Sequence, residues 1–229
     1  MGIKVCVFDA YGTLFDVAAA ARACAAEPGR EALAAKWEAL AATWRDKQLQ
    51  YTWLRAVADA HTDFWTVTQD ALDVALEAHD LSDPALRERL LQLYFELAAF
   101  PEVPAMLKAL KDQGRQLAIL SNGEPKMLAA AAESAGVAAL LDDILTVESV
   151  GVFKPHRSVY DLVGKRFDCA PAEVAFVSSN GWDACSAAAY GFRTYWVNRK
   201  GEPVDRLVAK PHEILSDLSA LPARVEAAA

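Results

Sequence analysis

Asp9 closes the run Ile3-Lys4-Val5-Cys6-Val7-Phe8, which is apolar, rich in β-branched residues and followed closely by Gly12. Such a run reads as a buried strand, so the carboxylate stands at its carboxyl end. Asp is disfavoured within strands and costly to bury, and one that emerges from an apolar strand is paired, solvated or functional. The alternative is an Asp that only caps the following turn. Three later segments have the same form. Ser121-Asn122-Gly123 ends the run Gln116-Leu117-Ala118-Ile119-Leu120, and Lys154-Pro155 follows Ile144-Leu145-Thr146-Val147. Ser178-Ser179-Asn180-Gly181-Trp182-Asp183 ends Val174-Ala175-Phe176-Val177. Ligands of open parallel sheets bind at the carboxyl ends of the strands. Four strand ends that bring a carboxylate, hydroxyls, amides and an ammonium to one edge exceed what turn chemistry alone requires, and they point to a catalytic site.

The elements that must carry these residues fall into two blocks. From about Asp16 to Phe100 the chain shows helical periodicity and no convincing strand. Leu33, Trp37, Leu40 and Trp44 form one stripe, a second helix is expected over 48–55 and a third over 68–79. A fourth opens at Ser82-Asp83-Pro84, with Leu86, Leu90, Leu93 and Leu97 as its buried face. After Pro101 helices and strands alternate, the signature of a parallel sheet with crossover helices. Helices are expected over 104–113, 126–135, 156–167 and 182–190, with Gly114, Gly136 and Gly191 as stop signals. A strand over 193–197, then a short strand and a helix, complete the chain. The expected fold class is therefore α/β: a Rossmann-like parallel sheet core of residues 1–15 and 100–229. An all-helical cap subdomain of residues 16–99 is inserted after the first strand. A bundle joined to its core by two crossings commonly covers the site.

Bulk properties narrow the function. With 229 residues the chain can bury a large core. A net charge of −8 argues against nucleic-acid binding and gives no long-range attraction to an anionic substrate, so an anion site has to be built locally. No apolar run is long enough to span a bilayer and no secretory leader is evident, which leads to the expectation of a cytoplasmic protein with no membrane partner. Cys6, Cys24, Cys169 and Cys185 lie far apart, without zinc-ligand spacing, and read as reduced thiols.

The four strand-end segments resemble the four motifs of the haloacid dehalogenase superfamily, and Asp9-Ala10-Tyr11-Gly12-Thr13 is close to the version in its namesake family, the L-2-haloacid dehalogenases. Trp44-Arg45-Asp46-Lys47-Gln48-Leu49-Gln50-Tyr51-Thr52-Trp53-Leu54-Arg55, Ile119-Leu120-Ser121-Asn122-Gly123 and Phe176-Val177-Ser178-Ser179-Asn180-Gly181-Trp182-Asp183 are similar to that family as well. Asp46 departs from it, standing where relatives carry an uncharged amide. The superfamily's phosphatases place a second Asp two positions after the nucleophile, to protonate the leaving group; here that position is Tyr11. They also gather acidic residues at the fourth motif for magnesium, whereas this chain has Ser178, Ser179 and Asn180 before the single Asp183. A halide leaves without a proton. No metal and no cofactor are therefore expected.

The resemblance implies a hydrolytic dehalogenase acting on (S)-2-haloalkanoic acids, with Asp9 as nucleophile and an aspartyl-ester intermediate. Lys154 orients Asp9 and keeps it ionised. Arg45, with Asn122, receives the halide. Ser121 and backbone N–H groups near Tyr11 and Asn122 hold the substrate carboxylate. Tyr11, Phe64 and Trp182 form an apolar wall; Thr13, Ser178 and Asn180 position Asp9. Asp183 with Lys154 activates the hydrolytic water, and Tyr160 bonds within the same cluster. A homodimer formed partly through the cap is also implied. Two other readings stay open at this point: a magnesium-dependent phosphohydrolase on the same scaffold, and a non-enzymatic interaction protein, whose expected mark is loss of the nucleophile or the lysine.

Overall fold

The computed structural model describes residues 2–228; Met1 and Ala229, which bound the expected core segments, lie outside them. Six parallel strands form one sheet: β1 (Val5–Phe8), β2 (Gln116–Ser121), β3 (Asp143–Thr146), β4 (Val174–Ser178), β5 (Arg193–Val197) and β6 (Glu213–Leu215), in the spatial order β3-β2-β1-β4-β5-β6. β1 is central, with Val5 opposite both Gln116 and Val174 and Phe8 opposite Ile119 and Val177. Every residue of β1 and β4 is buried, because crossover helices cover both faces of a parallel sheet and such strands read as unbroken apolar runs. After β2 these coverings are α7 (Pro125–Ser134), α8 (Arg157–Phe167), α9 (Gly181–Tyr190) and α10 (Leu221–Ala227), while α6 (Val103–Asp112) leads into β2.

Between β1 and α6 the chain forms α1 (Ala18–Ala25), α2 (Glu31–Ala34), α3 (Trp37–Val57), α4 (Phe64–Ala78) and α5 (Pro84–Leu93). Their boundaries depart from expectation for identifiable reasons. The two helices expected around Leu33–Trp44 and over 48–55 are largely one, α3, since no Gly or Pro interrupts residues 37–57 and the backbone ladder runs through; Leu33 lies apart, on α2. The third begins at Phe64 rather than Thr68 because Asp63 caps it, accepting from Thr66 N at 2.8 Å and from Thr66 Oγ1 at 2.9 Å. α5 stops at Leu93, so Leu97 is buried from an irregular segment and not from a helical face.

The crossings into and out of these helices run side by side. Phe15 bridges Ala99 in antiparallel fashion, Asp16 N donates to Ala98 O at 3.0 Å, and Phe100 N donates to Leu14 O at 3.0 Å. Arg199, just after β5, pins both. Its Nη2 donates to Thr13 O at 3.2 Å, it pairs with Glu102 at 2.7 Å, and its guanidinium lies 3.7 Å from the Phe100 ring centroid. Among the inserted helices, Trp44 Nε1 donates to Thr68 O (2.9 Å), while Gln48 Nε2 reaches Thr68 Oγ1 (2.9 Å) and Tyr94 OH (3.2 Å). These bonds satisfy polar groups on the buried faces where α3 meets α4.

The central strand is where truncation should cost most. Phe8→Ala is expected to lower unfolding free energy by about 3–5 kcal/mol, because Phe8 is fully buried and its loss leaves a cavity. The exposed Val208→Ala should stay within about 0.5 kcal/mol. Equal urea midpoints for the two variants would contradict the burial of β1.

Candidate active site

Asp9 continues the β1 ladder by donating its N–H to Val177 O at 2.9 Å, and the chain then turns sharply. Gly12 makes that turn at φ +86°, and a Cβ there would approach Ser179 Oγ to 3.0 Å, so the position suits glycine on two counts. The turn carries Thr13 back to the carboxylate. Asp9 Oδ2 accepts from Thr13 Oγ1 at 2.9 Å and from Asn180 Nδ2 at 3.0 Å, whereas Oδ1 faces only Lys154 Nζ, at 3.4 Å. One oxygen is thus saturated with short donors and the other keeps lone pairs free.

Lys154 is completely buried, its Nζ 2.9 Å from Asp183 Oδ2 and 5.0 Å from the Phe176 ring centroid. Two carboxylates compensate its desolvation, and removing either leaves a buried charge underpaired. Asp183 Oδ1 accepts from Tyr160 OH at 2.8 Å. Burial pushes the Asp183 carboxyl above its ordinary range, with Lys154 opposing the shift. Burial also raises the Tyr160 hydroxyl well above its usual value, so that it remains a donor. Asp183 has no surface of its own in the cavity, and Lys154 is the member of this cluster that reaches it.

Of the remaining residues singled out from the sequence, the structure brings Arg45, Phe64, Ser121, Asn122 and Trp182 around the same small gap as Asp9, Tyr11, Lys154 and Asn180. The gap is about 10 Å³, roughly the room one water needs. Arg45 spans its outer side, donating from Nη2 to Tyr11 O and to Asn180 Oδ1, each at 3.3 Å. Beyond it opens a cavity of about 520 Å³, where Asp46 lies with Arg199 and Lys200. Asn122 Oδ1 accepts from Lys154 N at 2.9 Å, tying the ends of β2 and the segment after β3 together. Ser121 Oγ accepts from Gly123 N at 3.0 Å. A Cβ on Gly123 would come within 2.8 Å of the Tyr11 ring, which is why the backbone can pass so close. Tyr11 stacks on Phe64 with centroids 5.8 Å apart and leans on Tyr94 at 5.4 Å; Trp182 meets Trp53 edge-on at 5.4 Å.

Ser178 sits one step further out than expected. Its Oγ accepts from Asn180 N at 3.1 Å and shapes the turn that aims Asn180, while the hydroxyl against Thr13 belongs to Ser179, whose N donates to Thr13 Oγ1 at 2.8 Å. Leu49, which also lines the gap, was not singled out from sequence; its signal was its place four residues after Arg45, one helical turn along the same face. Tyr94, which packs behind Tyr11, carried no such signal.

Among the described residues no group of three or more His, Cys, Asp or Glu is arranged to hold a metal ion. The cation between Asp9 and Asp183 is the Lys154 ammonium, and that donor set does not fit magnesium. What this geometry can do is present a fixed carboxylate oxygen to an electrophile in a small enclosed space, with Arg45, Asn122, Asn180, Lys154 and Ser121 around it as donors for anions.

Comparison with known proteins identifies the family. Residues 3–191 match the model for haloacid dehalogenase-like hydrolases. (S)-2-haloacid dehalogenase 1 of Pseudomonas sp. (strain CBS-3) is 42% identical over 221 residues, 96% of this chain and 95% of that protein. (S)-2-haloacid dehalogenase 4A of Burkholderia cepacia is 40% identical over 220 residues, 96% of this chain and 93% of that protein. The structure of L-2-haloacid dehalogenase from Xanthobacter autotrophicus with chloropropionic acid covalently bound is similar at a TM-score of 0.86 and 36% identity, covering 99% of this chain and all of that one. With the family model matching most of its length and these relatives aligning nearly end to end, the chain belongs to the haloacid dehalogenase-like hydrolases.

Proposed function

We propose that the protein is a hydrolytic dehalogenase that converts (S)-2-haloalkanoic acids to (R)-2-hydroxyalkanoic acids and halide. The observation that carries this reading is the asymmetry of Asp9: Oδ2 holds two short donors, whereas Oδ1, facing only Lys154 at 3.4 Å, has lone pairs to spend on a substrate carbon. Oδ1 attacks C2 from the side opposite the halogen. The C–O bond forms as the carbon–halogen bond breaks, the halide leaves with the bonding pair, and the configuration inverts. Arg45 and Asn122 receive the halide, and Ser121 with neighbouring backbone N–H groups fixes the substrate carboxylate. Thr13, and Asn180 set by Ser178, orient Asp9. Water, held by Lys154 with Asp183 and Tyr160 behind it, then attacks Cγ of the ester. The hydroxy acid leaves, a proton is released and the Asp9 carboxylate returns.

Tyr11 at the second position after the nucleophile has no acidic proton to offer an alcohol leaving group, and burial raises its hydroxyl well above the ordinary value. Halide departure needs none. Residues 1–15 and 100–229 are read as the catalytic core and 16–99 as a cap. Because Arg45 and Leu49 on α3 help close a gap smaller than any haloacid, at least these side chains have to move for substrate to enter. The reading extends to a cytoplasmic homodimer. No helix among the described residues is long and apolar enough to cross a membrane, and all four cysteines are free thiols. Leu54 and Val57 are well exposed near the end of α3, an apolar patch for a second copy.

One turnover of (S)-2-chloropropionate in heavy-oxygen water tests the central claim. The expected products are one chloride and (R)-lactate without label, with the label in the Asp9 side chain; label in the lactate would replace the ester by direct attack of water. Arg45→Ala should cut kcat by about 10²–10³-fold with little change in melting temperature, since its contact strengthens as charge develops on the halide. Unchanged turnover would remove Arg45 from the mechanism. Light scattering should give twice the chain mass, and Leu54→Glu should reduce it to one.

A further inference from the structure

One hydrogen-bonded contact between the inserted helices and the core plays no part in the chemistry above. Glu148 lies in the 3₁₀ turn Val147–Ser149 that follows β3. Its Oε1 accepts from the backbone N–H of Phe64 at 3.3 Å, and its Oε2 is 3.1 Å from His61 Nε2. Asp63 already serves the N–H of Thr66, so the free N–H at the first position of α4 takes its acceptor from the core. The dipole of the 15-residue α4 favours a carboxylate at that point. Aromatic packing runs in parallel. The ring of Phe153, the residue before Lys154, has His61 at 4.7 Å and Phe64 at 6.4 Å between centroids. The segment that delivers Lys154 to Asp9 therefore also sets the position of the Phe64 backbone.

Phe64 in turn forms a wall of the reaction space. A haloacid bound there has its carboxylate, its halogen and its reacting carbon committed to polar groups, so the substituent on C2 must lie against Tyr11, Leu49, Phe64 or Trp182. Tyr11 is held in place by Tyr94 behind it and Gly123 beside it. Phe64 rides on a helix whose attachment to the core at this end includes Glu148.

We propose that Glu148, with His61, is a positioning residue that holds the Phe64 wall close to Asp9 and so restricts the acid to a short C2 substituent. The proposal rests on the haloacid reading of the site. It is tested by measuring kcat and KM for bromoacetate, (S)-2-bromopropionate and (S)-2-bromohexanoate with the wild-type protein, Glu148→Ala and Glu148→Gln, alongside thermal melts. Glu148→Ala should raise the hexanoate-to-propionate ratio of kcat/KM at least about fivefold, chiefly through KM, with kcat for bromoacetate within about twofold of wild type. Glu148→Gln keeps an acceptor for the Phe64 N–H and should restore the wild-type ratio. An unchanged ratio in Glu148→Ala, or a parallel fall for all three acids, overturns the proposal. If Glu148→Ala does not fold, His61→Ala removes the other half of the clasp and is read by the same ratio. Absence of halide release from every acid by the wild-type protein is a different failure, that of the haloacid reading itself.

Discussion

A fully buried ammonium is the constraint on which the centre of this molecule depends. Lys154 is fully buried, and its charge is compensated by Asp9 and Asp183, which both face it. That requirement ties three chain segments to one point: the end of β1, the segment after β3 and the start of α9. Tyr160 on α8 adds a fourth through Asp183. Asn122 brings in the end of β2 by accepting from the Lys154 backbone. The carboxyl edge of the sheet is thereby drawn together by charge compensation as well as by strand pairing, and the group that neutralises Lys154 on its open side is the proposed nucleophile.

The same arrangement explains how a protein with a net charge of −8 can hold an anion. Long-range steering is unfavourable, so the site relies on short-range donors in a nearly dry space, where each is worth more than in water. Arg45, Asn122, Asn180, Lys154 and Ser121 surround a gap otherwise walled by Tyr11, Leu49, Phe64 and Trp182. Some donors are spent on holding the walls in place; Arg45, for example, bonds Tyr11 O and Asn180 Oδ1. In the proposed cycle these are the contacts to be exchanged for substrate and halide.

Away from the site, two further polar contacts fix those helices and their crossings. Arg199 clamps the two crossings through Thr13 O, Glu102 and the Phe100 ring, and Glu148 clasps the start of α4. Thr13 is also the residue that bonds Asp9 Oδ2, so the clamp on the crossings and the orientation of the carboxylate share one residue.

The sequence by itself determined the class of fold and pointed to the carboxyl edge of the sheet as the place for chemistry. Apolar runs that end in Asp9, Ser121 and Ser178, with Lys154 following a fourth, read as strands of a sheet covered on both faces, because such a layer removes that many side chains from water, and their polar ends then emerge on one side. Local signals also placed most helices, failing where a boundary depended on something other than propensity: the uninterrupted α3, the Asp63 cap of α4 and the early stop of α5. Tertiary structure alone decided which polar residues touch. Lys154 and Asn180 lie 145 and 171 positions from Asp9, and no spacing rule says that Thr13 and Asn180 share Oδ2 while Lys154 takes Oδ1. Nor could it separate Ser178, which shapes a turn, from Ser179, which meets Thr13, since adjacent residues differ only in the direction the folded backbone gives them. Tyr94 and Glu148 were illegible for the same reason: each matters through a partner brought beside it by packing, and packing is a property of the whole chain.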